Sequence, residues 1–133
     1  MMSSIQQALE THLNTLSPKP RIAWPNVVFT PVATELYIEP KVVPTFLDDE
    51  SIDRVGSMRQ NALFIVDVYS PKGSATFDSN QMLSRLEAHF PRDLVLTTAT
   101  AKIRIKTRSR NTPSIAGEWF VQGLNINVYS INT

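Results

Sequence analysis

Apolar residues recur along this chain with two periods, and the change from one to the other divides it into elements. Ile5, Ala8, Leu9, His12, Leu13 and Leu16 share one stripe at helical spacing, which predicts a helix over 3–16. Ser3 and Ser4 open it, and Ser4 with Gln7 fits a capping box, where the hydroxyl accepts an amide N–H and the amide side chain reaches back. Pro18 and Pro20 stop it, because proline lacks the donor and disfavours helix in the residue before it. A second stripe, Met82, Leu83, Leu86 and Phe90, predicts a helix over 76–90 that Pro91 ends.

Elsewhere the period is two. Residues 21–24 read as a short strand, and 25–31, Pro-Asn-Val-Val-Phe-Thr-Pro, as an extended, proline-bracketed loop. Residues 35–43 form a strand with Leu36, Ile38 and Val42 on one parity. Pro40 interrupts its donors, the mark of an edge or broken strand. Residues 44–58 read as one long loop, of a length that in compact domains is usually functional or disordered. The strongest strand is 59–69, where Leu63, Phe64, Ile65, Val66 and Val68 are nearly continuous and predict a central strand covered, at least in part, on both faces. Short strands follow at 94–96 and 101–107, the latter with Ile103 and Ile105 on one face. Residues 111–117 are a loop. Residues 118–131 are a long last strand with Phe120, Leu124, Ile126 and Val128 on one parity, and Gly123 marks a bulge or bend.

The order is α, three strands, α, three strands. Strands that cluster instead of alternating with helices predict an α+β fold, a mostly antiparallel sheet of four to six strands with two helices packed on one face. There is no internal repeat, and 133 residues suit a single domain over 1–133.

Composition narrows the chemistry. The chain has no Cys, two His and four Gly. Disulfides, thiolate metal sites and a Cys nucleophile are excluded, as are a three-His zinc site and a glycine-rich phosphate loop. No nucleophile-elbow motif is present, and neither His12 nor His89 has a partner at catalytic spacing, so both read as structural. The expectation is no catalytic residue, no metal, no cofactor and no enzyme. The first sixteen residues are polar and amphipathic, and no run approaches the roughly 18 apolar residues of a membrane helix, so a soluble protein with no membrane partner is expected.

Thirteen Lys and Arg against twelve Asp and Glu leave a net charge of +1, yet the charges are segregated. Asp48, Asp49, Glu50 and Asp53 fall within six residues of the predicted loop. They read as an acidic arm for a basic partner, as a solvated loop, or as a calcium site without the usual spacing and glycine. Lys102, Arg104, Lys106, Arg108 and Arg110 recur at every second residue; if the strand stays regular, all five project from one face. That stripe could meet carboxylates of another subunit, meet phosphate, or stand in solvent. The absence of interleaved aromatics favours carboxylates over phosphate. Val27, Val28 and Phe29 either cover one end of the core or form a subunit contact, since together they are costly to leave in water.

The segments Ile22-Ala-Trp-Pro-Asn-Val-Val-Phe-Thr-Pro31, Tyr37-Ile38, Phe64-Ile-Val-Asp-Val-Tyr-Ser-Pro-Lys-Gly73 and His89-Phe-Pro91 resemble the tail terminators, or tail-completion proteins, of long-tailed bacteriophages and prophages. Trp119-Phe120 ahead of an alternating strand fits the same pattern, and the resemblance spans about residues 4–129. It implies an α+β subunit of a homohexameric ring that caps the tail tube, ends its polymerisation and joins the head-completion complex. The implied partners are other copies of the chain, the tail tube protein and the head–tail connector or stopper, with DNA only passing through the ring. The implied location is the head-proximal end of the virion tail, reached from the host cytoplasm during assembly. The alternatives are a monomeric adaptor of the tail or head, or a small nucleic-acid-binding module using 102–110. A ring contact needs two different complementary patches per subunit, and the clusters at 48–53 and 102–110 are a candidate pair.

Overall fold

Phe64, Val66 and Val68 are fully buried and alternate with half-buried Leu63, Ile65 and Asp67, so one face of their strand meets the core and the other does not. This strand lies in the middle of the sheet. The computed structural model describes residues 2–25, 27–32, 34–49, 58–71, 76–98 and 102–131. The elements run α1 (Met2–Leu13), β1 (Arg21–Ile22), β2 (Tyr37–Asp49), β3 (Met58–Pro71), α2 (Thr76–His89), β4 (Val95–Thr97), β5 (Lys102–Arg110), β6 (Ser114–Ala116) and β7 (Trp119–Ile131). The sheet order is β1-β2-β3-β7-β5-β4, with β6 also on β7. β1 joins β2 in parallel and the remaining pairs are antiparallel, so the sheet is mixed.

The α+β class is as expected from the pattern. One core cluster unites Ile5, Leu9 and Leu13 of α1, Leu83, Leu86 and the following Phe90 of α2, Phe64 and Val66 of β3, Ile103 and Ile105 of β5, and Leu124 and Ile126 of β7. α1 touches both β2 and β4, which lie near opposite ends of the sheet order, so the sheet curls around it. α2 packs over β3 and β7.

Several boundaries differ from the expectation. α1 begins at Met2, which places Ser4 inside the first turn and not at the cap. It ends at Leu13, where the backbone tightens into three-residue turn bonds, Thr15 N–H to His12 O and Leu16 N–H to Leu13 O. Thr15 Oγ1 also donates to His12 O at 2.6 Å, competing with a further helical turn. Residues 44–49 are not loop: β2 continues to Asp49 and β3 starts at Met58, leaving only 50–57 of the expected loop, outside the described residues. The pattern at 44–49 hid the strand because Pro44 breaks the donor row and the pairing slips between Pro44 and Phe46. β6 lies inside the expected loop 111–117, and Gly117 turns the chain back with φ 62°.

Gly123 is not a bulge. It pairs in register with Asp67, and a Cβ there would lie 2.4 Å from Asp67 Oδ1. Its bare backbone lets that carboxylate lie against β7, where Lys41 Nζ stands 3.8 Å from the other oxygen. Pro40 and Pro44 stand on β2, which pairs with β1 only at Tyr37 and Ile38, so most of the other side of β2 is unpaired among the described residues.

Candidate assembly surfaces

Besides the slip in β2, the sheet carries a bulge in β5. Ile105 pairs with Val128 and Thr107 with Asn127, so Lys106 has no residue opposite it. One extra residue reverses the parity of everything after it. Before the bulge, Ile103 and Ile105 face the core while Lys102 and Arg104 face away and are exposed. After it, Arg108 and Arg110 pair with Ile126 and Leu124, whose side chains are buried in the core, and so lie on the helix side. The expected five-base stripe on one face is therefore divided.

Arg108 and Arg110 hold α2. Arg108 Nη1 donates to Glu87 O, near the helix C-terminus, where cations are favoured. The Arg110 guanidinium is bidentate on Glu87, Nη2 to Oε1 at 3.0 Å and Nε to Oε2 at 3.2 Å, and Nη2 also reaches Ser84 Oγ at 3.1 Å. The hydrogen bond from Arg110 holds the Glu87 carboxyl below its ordinary pKa. Lys102, Arg104 and Lys106 make no ion pair among the described residues and are exposed.

The acidic cluster starts at the far end of a two-stranded ribbon. β3 pairs with β7 only from Asn61 onward, whereas β2 and β3 stay paired out to Asp48–Arg59 and Asp49–Met58. The ribbon therefore runs past the sheet, carrying the backbone of Asp48 and Asp49. Glu50 and Asp53 lie outside the described residues, as does any closer view of the cluster.

The loop after β1 divides its apolar residues between two roles. Phe29 lies 4.8 Å from the Tyr37 ring and beneath the Arg21 guanidinium, 4.9 Å from its centroid. Arg21 Nη2 donates to Thr30 O at 3.1 Å and its Nε stands 3.8 Å from Glu35. Tyr37 in turn stacks on Tyr69 at 4.6 Å and meets the Trp119 edge at 5.0 Å. Phe29 thus extends an aromatic cluster of this chain. Val28 is 96% exposed and Val27 61%. The loop covers the fold with Phe29 and turns its valines outward.

A pair of histidines went unread in the sequence. His12 and His89 stack with ring centroids 4.2 Å apart, joining the C-terminal ends of the two helices. The signal was present: His12 sits on the apolar stripe of α1, and His89 precedes the buried Phe90. Their separation of 77 residues concealed it. Clefts of about 430–530 Å³ lie on the surface, and among the described residues no group of three His, Asp or Glu is placed to hold a metal ion. No helix among them is long and apolar enough to cross a membrane.

No curated protein matches the sequence. A solved structure aligns over 100% of this chain and 96% of its own, with 24% identity and a TM-score of 0.77, a likeness that establishes the fold alone. The family model of the phage tail terminator protein matches residues 4–123. That match spans most of the chain and carries the assignment that fold likeness leaves open: the chain belongs to the phage tail terminator protein family.

Proposed function

We propose that this chain is a structural, non-enzymatic virion protein that closes into a ring, a homohexamer, on the head-proximal end of a phage tail. The ring caps the tube, ends its polymerisation and presents a joint to the head–tail connector. The observation that carries this reading is the family match over residues 4–123. The surfaces support it. A ring contact is heterologous and requires two unlike patches, and the chain offers a ribbon ending in Asp48 and Asp49 and a separate exposed group of Lys102, Arg104 and Lys106. A two-stranded ribbon is marginal in water by itself, so a neighbour's surface would stabilise it. Arg108 and Arg110 drop out of this contact because α2 occupies them.

DNA is a passenger in this reading. The three remaining exposed bases on β5 are few for a duplex-binding face, and duplex affinity would show as a steep salt dependence. The test is electron microscopy of tails assembled without the protein. Tails of unregulated length are the expected result, and tails of normal length overturn the reading. Charge reversal at Arg104 and Lys106 weakens the oligomer in sedimentation, and reversal of Asp48 and Asp49 in the same chain partly restores it.

A further inference from the structure

Val27 and Val28 are a paired apolar projection with nothing over them, on the β1 side of α1. On the other side of α1, toward β4, lies a groove of about 490 Å³. Its walls are Gln7, Ala8, Thr11 and His12 of α1 and the following Thr15, facing Leu96, Thr97 and the following Thr98. β4 is the last strand of the sheet and pairs only with β5, so its other edge is open among the described residues. The groove therefore combines apolar carbon from Ala8, Leu96 and the threonine methyls with an unpaired strand edge, the combination that accepts an extended segment.

We infer that the 25–31 segment of one copy seats its valines in the α1–β4 groove of the next copy. Three observations select a second copy as the occupant. Charge matches: residues 25–31 contain no ionisable side chain, no Asp, Glu, Lys or Arg lines the groove, and burial favours the neutral form of its His12. Conformation matches: Pro31 restricts the backbone after Thr30, and Arg21 and Tyr37 anchor residues 27–31 through Phe29 and Thr30, which limits the ordering entropy lost on contact. Placement matches: projection and groove are separate patches on either flank of the exposed ridge of α1 at Thr11, so each subunit offers one and accepts the other, the heterologous arrangement that can close into a ring. The acidic ribbon suits this uncharged groove poorly. The inference rests on the ring reading for its context and adds a contact separate from the charged one.

The chain has no cysteine, so introduced thiols report only the contact tested. Val28→Cys chains are mixed with Thr97→Cys chains under mild oxidation, with sedimentation run alongside. The expected product is a covalent pair containing one of each variant, formed in oligomers and absent from either variant alone. Oligomers without that product overturn the inference, and so does a Val28→Cys homodimer formed in its place, which signals a two-fold contact. A second arm does not require the ring: a synthetic peptide of residues 24–32 is titrated into the full chain and followed by NMR. Shifts centred on Thr11, Leu96 and Thr97 are expected, with the peptide carrying Val28→Asp about ten- to hundredfold weaker. No shift at millimolar peptide overturns the inference. Shifts with a chain that never oligomerises uphold the groove and sink the ring.

Discussion

His12 and His89 exchange hydrogen bonds across the ends of their helices. His12 Nε2 donates to His89 O at 2.6 Å, and His89 Nε2 donates to His12 O at 2.7 Å. A carbonyl only accepts, so each neutral ring carries its proton on Nε2. At the end of α2 the His89 carbonyl gains a donor, at the end of α1 the His12 carbonyl adds one to those it takes from Thr15, and Phe90 lies edge-on to both rings.

This clasp makes stability depend on pH. Burial lowers the pKa of His12 from its ordinary 6.5; the bond to His89 O opposes the shift and the nearby His89 ring adds to it. A histidine whose folded pKa is depressed binds fewer protons in the folded chain than in the unfolded one. Its contribution is complete above pH 6.5 and declines as pH falls through the lower folded value. Thermal unfolding at pH 7.5 and 5.5 is expected to show a drop that shrinks in His12→Asn. An equal drop in both chains removes His12 as the cause.

Gly123→Ala tests the close approach of Asp67. The new methyl would fall 2.4 Å from Asp67 Oδ1 and 2.9 Å from Asn111 Nδ2. Such overpacking costs about 1–3 kcal/mol. In an Asp67→Ala background the same substitution should cost much less, because the nearest obstacle is gone. Denaturant unfolding of the four chains reads this coupling directly.

Arg110 and Glu87 should couple in the same way. Bidentate pairs at a partly exposed site are worth about 0.5–1 kcal/mol, decreasing with salt. Since Glu87 has a depressed pKa, its share is present above its ordinary 4.5 and lost as pH falls through the folded value. Lys102→Ala or Arg104→Ala should leave monomer stability within about 0.5 kcal/mol, because neither is tied down in the subunit. Any effect of those two belongs to assembly.

Tyr69 should resist ionisation. Burial is the main cause, with Glu39 and Asp67 nearby adding negative charge, and together they push its pKa up to about 12. An ultraviolet titration of the three tyrosines should show a late phase that Tyr69→Phe removes. Because the folded chain keeps this phenol protonated, stability falls as pH rises above 10.

The apolar stripes made both helices, the central strand and most of the core legible, since burial on one face leaves a period in the sequence. Ile103, Ile105, Leu124, Ile126 and Val128 were all placed on their buried faces in this way. What escaped reading was what periodicity cannot carry. The bulge at Lys106 leaves no composition signal, yet it moves Arg108 and Arg110 to the other face of the sheet. Pro44 read as the end of β2, when it is tolerated because, among the described residues, nothing pairs with that side of the strand beyond Ile38. The groove between α1 and β4 and the stacked histidines join residues far apart in sequence, and only the fold brings them together.

Pro40 and Pro44 give the unpaired margin of β2 a further meaning. A bare strand margin is a template, ready to recruit another strand and then another, the physical route to open-ended fibres. Two missing N–H groups along that margin deny an incoming chain its regular ladder. The two prolines thereby keep the subunit from seeding a fibre out of itself along this margin.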